Sequence, residues 1–208
     1  MSALLAALAL LLVPPHVAAQ QHISFPTQDG GIVEADLYGK GPRAVLLAHG
    51  GRFTKESWAP QAKSLAAAGF HVMAINFRGR GQSRGGPNLP PNDEGLRFDV
   101  LAAAGYLRNH GAKSVYAIGG SMGGTAIAEA AAEAAATTAQ FERIVLLASG
   151  AIATPEKMQG RKLFAICRDD PGPRDIPRLP VFRDQFKKAT GPKDLIVLEC
   201  SAHAQFIF

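Results

Sequence analysis

The stretch Val115-Tyr116-Ala117-Ile118-Gly119-Gly120-Ser121-Met122-Gly123-Gly124 governs the reading of the whole chain. A short apolar run of strand character enters a glycine-rich turn. The alanine-rich segment after it, from Met122 to about Ala136, has the composition of a helix that can lie close against a sheet. Gly119 and Gly123 stand two residues before and two after the serine, a G-x-S-x-G arrangement that carries meaning when it joins a strand to a helix. So tight a turn has no room for side chains two residues before and two after the serine, and it holds the hydroxyl out above the sheet. Ser121 is therefore the candidate nucleophile. The backbone N–H of Met122, at the head of the helix, points where charge would build on an attacked carbonyl oxygen, and the helix dipole favours that charge.

Outward from this turn, apolar runs of strand length alternate with helical patterns. Ile32–Tyr38 alternates as a half-exposed strand does, whereas Ala44–Ala48 is continuously apolar, as a parallel strand covered on both faces should be. Val72–Ile75, Ile144–Ala148, Leu163–Cys167 and Leu195–Leu198 read as further strands. Trp58, Ala62, Leu65 and Ala66 share one side of a helix closed by Gly69. Leu96, Val100, Ala103 and Leu107 mark a second helix, with Asn92 as its N-cap and Gly111 at its end. Val181, Phe182, Phe186 and Ala189 mark another, stopped by Gly191 and Pro192. This order predicts an α/β fold: a mostly parallel central sheet with helices on both faces. Gly79–Pro91, rich in Gly, Pro and Arg, reads as one long loop over the sheet edge.

A chain of 208 residues suffices for one domain with a substantial core and is short for two. Residues 1–19 stand apart. Leu4–Val13 has the length of a signal-peptide apolar core, Pro14 and Pro15 break it, and Val17-Ala18-Ala19 offers small residues for cleavage. The run is too short to span a bilayer. The expected organisation is a signal peptide over 1–19 and a single domain over 20–208, exported to a periplasm or secreted. No Lys or Arg precedes the apolar run, which leaves an uncleaved anchor as the competing reading. The net charge of +5 comes from dispersed Lys and Arg without a basic helix or interleaved aromatics, which argues against nucleic-acid binding. The one basic cluster, Arg78, Arg80 and Arg84, reads as a solvated loop in preference to an anion-binding patch. Cys167 and Cys200 each fall near a strand end. Parallel neighbours run their side-chain vectors side by side, so two buried free thiols are expected rather than a disulfide. Neither has Cys or His at ligand spacing, so no metal site is predicted.

A nucleophilic serine needs a base and an orienting acid. Of the six histidines only His203 follows Ser121, in a loop just beyond the last strand. The carboxyl ends of strands are where open parallel sheets gather their functional groups. Asp169 and Asp170 follow the strand ending at Cys167. Asp170 is favoured, because it lies as far beyond Cys167 as His203 lies beyond Cys200, and Pro171 fixes the turn after it. The loop His49-Gly50-Gly51-Arg52 lets backbone approach a substrate closely, so the N–H of Gly51 or Arg52 is the candidate second oxyanion donor. His49 reads as a brace of that loop.

These residues resemble the α/β-hydrolase superfamily. The carriers are His49-Gly50-Gly51, Arg78-Gly79-Arg80-Gly81-Gln82-Ser83, Gly119–Gly124, Asp170 and His203, in the order expected of it. The chain is similar to compact esterase and dienelactone-hydrolase-like members. The resemblance implies a Ser121–His203–Asp170 triad that cleaves a small-molecule carboxylic ester through an acyl-enzyme, with neither metal nor organic cofactor. Peptidase or acyltransferase chemistry by the same triad, or an inactive hydrolase-like binding protein, are the alternatives. Two departures are visible. Ser149–Lys162 is too short for the cap many relatives insert, which predicts an open site. The chain also ends at Phe208, where relatives continue into a final helix. Its absence predicts an apolar surface at Phe206, Ile207 and Phe208, belonging to a truncated chain or covered by a second subunit.

Overall fold

The computed structural model describes residues 20–88, 94–134, 140–172 and 176–208. The apolar leader, Asn92 and the end of the alanine-rich helix at Ala135 and Ala136 lie outside the described residues.

Eight strands form one sheet: β1 (Gln21–Pro26), β2 (Ile32–Tyr38), β3 (Arg43–Ala48), β4 (His71–Ile75), β5 (Ser114–Gly120), β6 (Arg143–Leu147), β7 (Arg161–Cys167) and β8 (Lys193–Leu198). Their spatial order is β1-β2-β4-β3-β5-β6-β7-β8. β1 and β2 pair antiparallel, as do β2 and β4, and every pairing from β4 to β8 is parallel. Strand β1 has no counterpart among the sequence expectations, although Ile23 and Phe25 alternate with polar residues as an edge strand requires.

Helices α1 (Ala59–Ala67), α2 (Leu96–Asn109), α3 (Met122–Glu133) and α4 (Arg178–Lys188) cover the sheet unequally. Leu107, Ala130 and Phe182, from α2, α3 and α4, join one core cluster with Leu46, Ile75 and Phe164. On the opposite face α1 packs Ala62, beside Trp58, against Val45, Leu47, Val72 and Ala74. Helices thus lie on both faces, three on one and one on the other. The thinly covered face leaves Ile196 45% exposed, and Phe206 and Phe208 are 63% and 68% exposed. Gly69 and Gly111 end α1 and α2 as expected. Each has positive φ, and in both cases the glycine N–H and the next N–H reach back to the last turn in a Schellman motif.

The sheet order places the site. From β3 the chain passes through α1 to β4 on one side. From β4 it crosses through α2 to β5 on the other side of β3. The loops leaving the carboxyl ends of β3 and β5 therefore diverge, and a crevice opens between them. Among the described residues no cap closes it: the connection from β6 to β7 holds only the 3-10 turn Pro155–Lys157.

Arg78 departs from expectation. Its side chain is 7% exposed, not solvated, and its guanidinium lies between Asp29 and Asp99. Nη1 and Nη2 donate to Asp29 at 2.8 and 3.1 Å, while Nε and Nη2 donate to Asp99 at 3.0 and 2.7 Å. The Arg78 hydrogen bonds hold the Asp29 carboxyl far below the usual carboxylate range, whereas burial raises that of Asp99. This triad pins the loop after β4 to the start of α2 and to the β1–β2 turn. Arg84 is exposed, but its backbone pairs with Ile32 in an isolated bridge. Removing the guanidinium leaves two carboxylates buried without a counter-charge. Arg78→Ala is expected to cost about 3–5 kcal/mol, read as a lower urea midpoint at unchanged slope.

Candidate active site

Ser121 occupies the turn between β5 and α3 with φ 51° and ψ −116°, a region L residues avoid. The turn is built by absence of side chains. A Cβ at Gly119 would lie 2.5 Å from the backbone of Gly123, and one at Gly123 would lie 2.4 Å from the carbonyl oxygen of Ala48. The Ser121 N–H donates to Leu147 O on β6 at 2.8 Å, which anchors the strained residue to the sheet.

Ser121 Oγ lies 3.0 Å from His203 Nε2. His203 Nδ1 lies 2.9 Å from both carboxylate oxygens of Asp170. A carboxylate can only accept, so Nδ1 carries the proton and Nε2 is the acceptor that faces the serine hydroxyl. The Asp170 side chain is fully buried, and Arg178 Nε stands 3.4 Å from its Oδ1. Asp169 is exposed, its N–H donating to Cys200 O at 3.0 Å. Of the two candidate acids, the fold brings Asp170 to the histidine.

Met122 is the first residue of α3, where the N–H has no partner within the helix. Across the crevice, the loop after β3 is tied down atom by atom. His49, buried, donates from Nδ1 to Gly50 O at 2.8 Å and accepts from the Phe77 N–H at Nε2, 3.2 Å away. Burial lowers its pKa, so the ring stays neutral with one donor and one acceptor, both engaged. That makes His49 a brace and leaves it no ring nitrogen free for proton transfer. Gly50 O also accepts from the Phe53 N–H at 3.0 Å, and Gly51 O accepts from Arg80 Nη2 at 2.7 Å. With the Gly50 carbonyl held inward by two donors, the N–H of Gly51 on the same peptide plane points the opposite way. A Cβ on Gly51 would come 3.8 Å from Met122 Sδ, so the loop faces the head of α3. Arg52 is exposed beside it.

The two cysteines overturn the expectation of free thiols. Cys167 and Cys200 form a disulfide with their Cα atoms 4.9 Å apart. Within the β7–β8 ladder Cys167 faces Leu198, and Cys200 lies two residues further on. There the chain has already turned, the Cys200 N–H reaching back to Leu198 O at 3.0 Å. Past the strand end the side-chain vectors no longer run side by side, so the objection from parallel geometry lapses. The bridge joins the segment that leads to Asp170 with the segment that leads to His203.

Arg178 at Asp170 and Gln205 at the β3 loop were not legible in the sequence. Gln205 Oε1 accepts from the Gly50 N–H at 2.6 Å, and its Nε2 donates to Ser57 Oγ at 2.8 Å. Neither residue belongs to a motif, and both arrive by tertiary contact. Among the described residues no group of three or more His, Cys, Asp or Glu could hold a metal ion. No helix among them is long and apolar enough to cross a membrane.

Residues 43–165, more than half of the chain, match the family described by the alpha/beta hydrolase fold, and the chain belongs to that family. A stretch of 91 residues, 43% of the chain, is 35% identical to bifunctional epoxide hydrolase 2 of Sus scrofa. The chain spans 16% of the length of that relative. Among solved structures, an esterase of Pyrococcus furiosus superposes with a TM-score of 0.71 at 16% identity, over 91% of this chain and 86% of the esterase. The enol-lactonase of Burkholderia xenovorans does so with a TM-score of 0.67 at 16% identity, over 86% of this chain and 92% of that one. At such identities the likeness speaks to the fold.

The disulfide closes a loop with a sequence separation of 33 residues, which in the chain-entropy account contributes about 2–4 kcal/mol. Replacing both Cys167 and Cys200 by Ala is expected to lower the melting temperature. Dithiothreitol should lower it comparably in the wild type and leave the double variant unmoved.

Proposed function

We propose that the chain is a serine hydrolase that cleaves carboxylic esters through an acyl-enzyme, with Ser121 as nucleophile, His203 as general base and Asp170 as orienting acid. The observation that carries this reading is the continuous hydrogen-bonded line from Ser121 Oγ through His203 to Asp170. Ser121 Oγ attacks the acyl carbon while its proton passes to His203 Nε2. Asp170 keeps the proton on Nδ1 and stabilises the imidazolium. The carbonyl oxygen, now negative, is met by the N–H groups of Met122 and Gly51, with Arg52 as the alternative to Gly51. The imidazolium returns its proton to the leaving alkoxide, and the alcohol departs. Water then attacks the acyl-enzyme by the same proton route and releases the acid. The balance closes without a metal or an organic cofactor.

The substrate class follows from the capless crevice, whose open mouth suits small or exposed acyl esters over long buried chains. The Cys167–Cys200 disulfide favours an oxidising compartment. With the apolar run Leu4–Val13 it supports export, by cleavage after about Ala19, to a periplasm or the exterior. The small-molecule ester is the partner proposed.

Covalent labelling by a fluorophosphonate tests the mechanism without knowledge of the natural substrate, because it needs an activated serine. The wild type is expected to label and Ser121→Ala not to; failure of a folded wild type to label would refute the reading. On a simple aryl ester, Asp170→Asn is expected to lower kcat by about 10⁴ through the wrong imidazole tautomer. Asp169→Asn should stay within about threefold of the wild type, and the reverse order would move the acid to Asp169.

A further inference from the structure

Gln205 lies in the 3-10 turn Ala204–Ile207, immediately past the loop that carries His203. Ala204 is buried with φ 49°, a conformation L residues rarely adopt, and this bend turns the next side chain inward. Three separate segments meet that side chain. Its Oε1 accepts from the Gly50 N–H in the β3 loop at 2.6 Å. Its Nε2 donates to Ser57 Oγ at 2.8 Å, in the 3-10 turn Lys55–Trp58 that leads into α1. Its Cγ covers the turn before the serine closely enough that a Cβ on Gly120 would come within 3.0 Å of it.

Neither Gly50 nor Gly51 has a Cβ to restrict its backbone rotation, so the loop depends on its hydrogen bonds for its orientation. The orientation of the Gly51 N–H depends on the peptide planes on both sides of Gly50. His49 Nδ1 and the Phe53 N–H hold the Gly50 carbonyl, and so the plane that carries the Gly51 N–H. Gln205 alone among the described side chains holds the Gly50 N–H, and so the preceding plane. The two anchors together leave Gly50 no rotation that keeps both sets of hydrogen bonds.

We infer that Gln205 is a positioning residue of the oxyanion site, which locks the β3 loop so that the Gly51 N–H faces the carbonyl oxygen attacked by Ser121. This rests on the serine-hydrolase reading above and deepens it. Because Gln205 follows His203 in the same segment, it also ties the base and one oxyanion donor to a common support. Catalysis by preorganised dipoles depends on donors that are already in place when charge develops. A glutamine that secures one peptide plane therefore acts on the transition state and leaves ground-state binding of an ester nearly untouched.

The test compares the full chain as wild type, Gln205→Met and Ser57→Ala on p-nitrophenyl acetate. Each is checked for cooperative unfolding and normalised by its fluorophosphonate-reactive sites. Gln205→Met keeps the length and bulk of the side chain and loses both hydrogen bonds. Its kcat is expected to fall about ten- to a hundredfold, short of or equal to the loss of a whole oxyanion donor. KM should stay within about twofold. A trifluoromethyl ketone, whose adduct presents the oxyanion, should weaken in the same proportion as kcat/KM. The midpoint of the pH–rate profile should not move, since the His203–Asp170 pair is untouched. Ser57→Ala, which frees only the amide nitrogen of Gln205, should show the same pattern at several-fold size, and it decides the matter if Gln205→Met does not fold. A folded Gln205→Met with wild-type kcat, a loss seen in KM instead, or inhibitor affinity that does not follow kcat/KM overturns the inference. So does a wild-type kcat in Ser57→Ala where Gln205→Met is not folded. A wild type that neither labels nor turns over ester refutes the hydrolase reading itself, and this inference falls with it.

Discussion

The turn from β5 to α3 is built on a close approach of backbone to backbone, and the rest of the site depends on it. Gly119 and Gly123 let the head of α3 touch the end of β3, with no Cβ standing between the helix and the carbonyl of Ala48. That contact bends Ser121 into a left-handed conformation costing on the order of 1–3 kcal/mol. The cost is carried by the parallel sheet, through the Ser121 N–H bond to Leu147, and by the apolar packing of α3. In return the serine hydroxyl and the Met122 N–H project from one rigid corner. A substituent at either glycine would push α3 off the sheet and displace both groups together.

Around this corner, loops that would otherwise be independent are cross-tied. His49 bridges the end of β3 to the end of β4 through the Phe77 N–H. Arg78 binds the loop after β4 to the first turn of α2 and to the β1–β2 turn. The Cys167–Cys200 bond joins the ends of β7 and β8, and Gln205 joins the last loop back to the first. Each tie starts at the carboxyl end of a parallel strand, the side on which the crevice opens. With no cap among the described residues, these links are what hold the geometry of the crevice.

The buried polar groups divide by this logic. The guanidinium of Arg78 is shared by two carboxylates, and the neutral ring of His49 has both nitrogens engaged. Both are satisfied groups that fix shape. The pair that faces the crevice differs in kind: His203 Nε2 has the serine hydroxyl as its partner, a group that can give up its proton. Both histidines thus have two engaged ring nitrogens, and the chemistry of the partners separates them: backbone groups at His49, a hydroxyl and a buried carboxylate at His203.

Local chemistry made much of this readable from the chain alone. Period and composition placed β2 to β8 and all four helices. Gly69 and Gly111 marked helix ends because only glycine takes the positive φ of that cap at no cost. Gly119-Gly120-Ser121-Met122-Gly123 marked the turn because the steric demand is met within five residues. Position makes His203 and Asp170 the candidates, since the carboxyl ends of parallel strands are fixed once the strands are. Tertiary structure alone decided the rest. Edge strand β1 exists by pairing with β2, Arg78 is buried because two distant carboxylates surround it, and Cys200 reaches Cys167 because the chain turns after Leu198. Gln205 finds Gly50 across 155 residues. A sequence records what each residue asks of its neighbours in the chain, whereas these contacts depend on where long-range packing sets two backbones, to within a few tenths of an ångström.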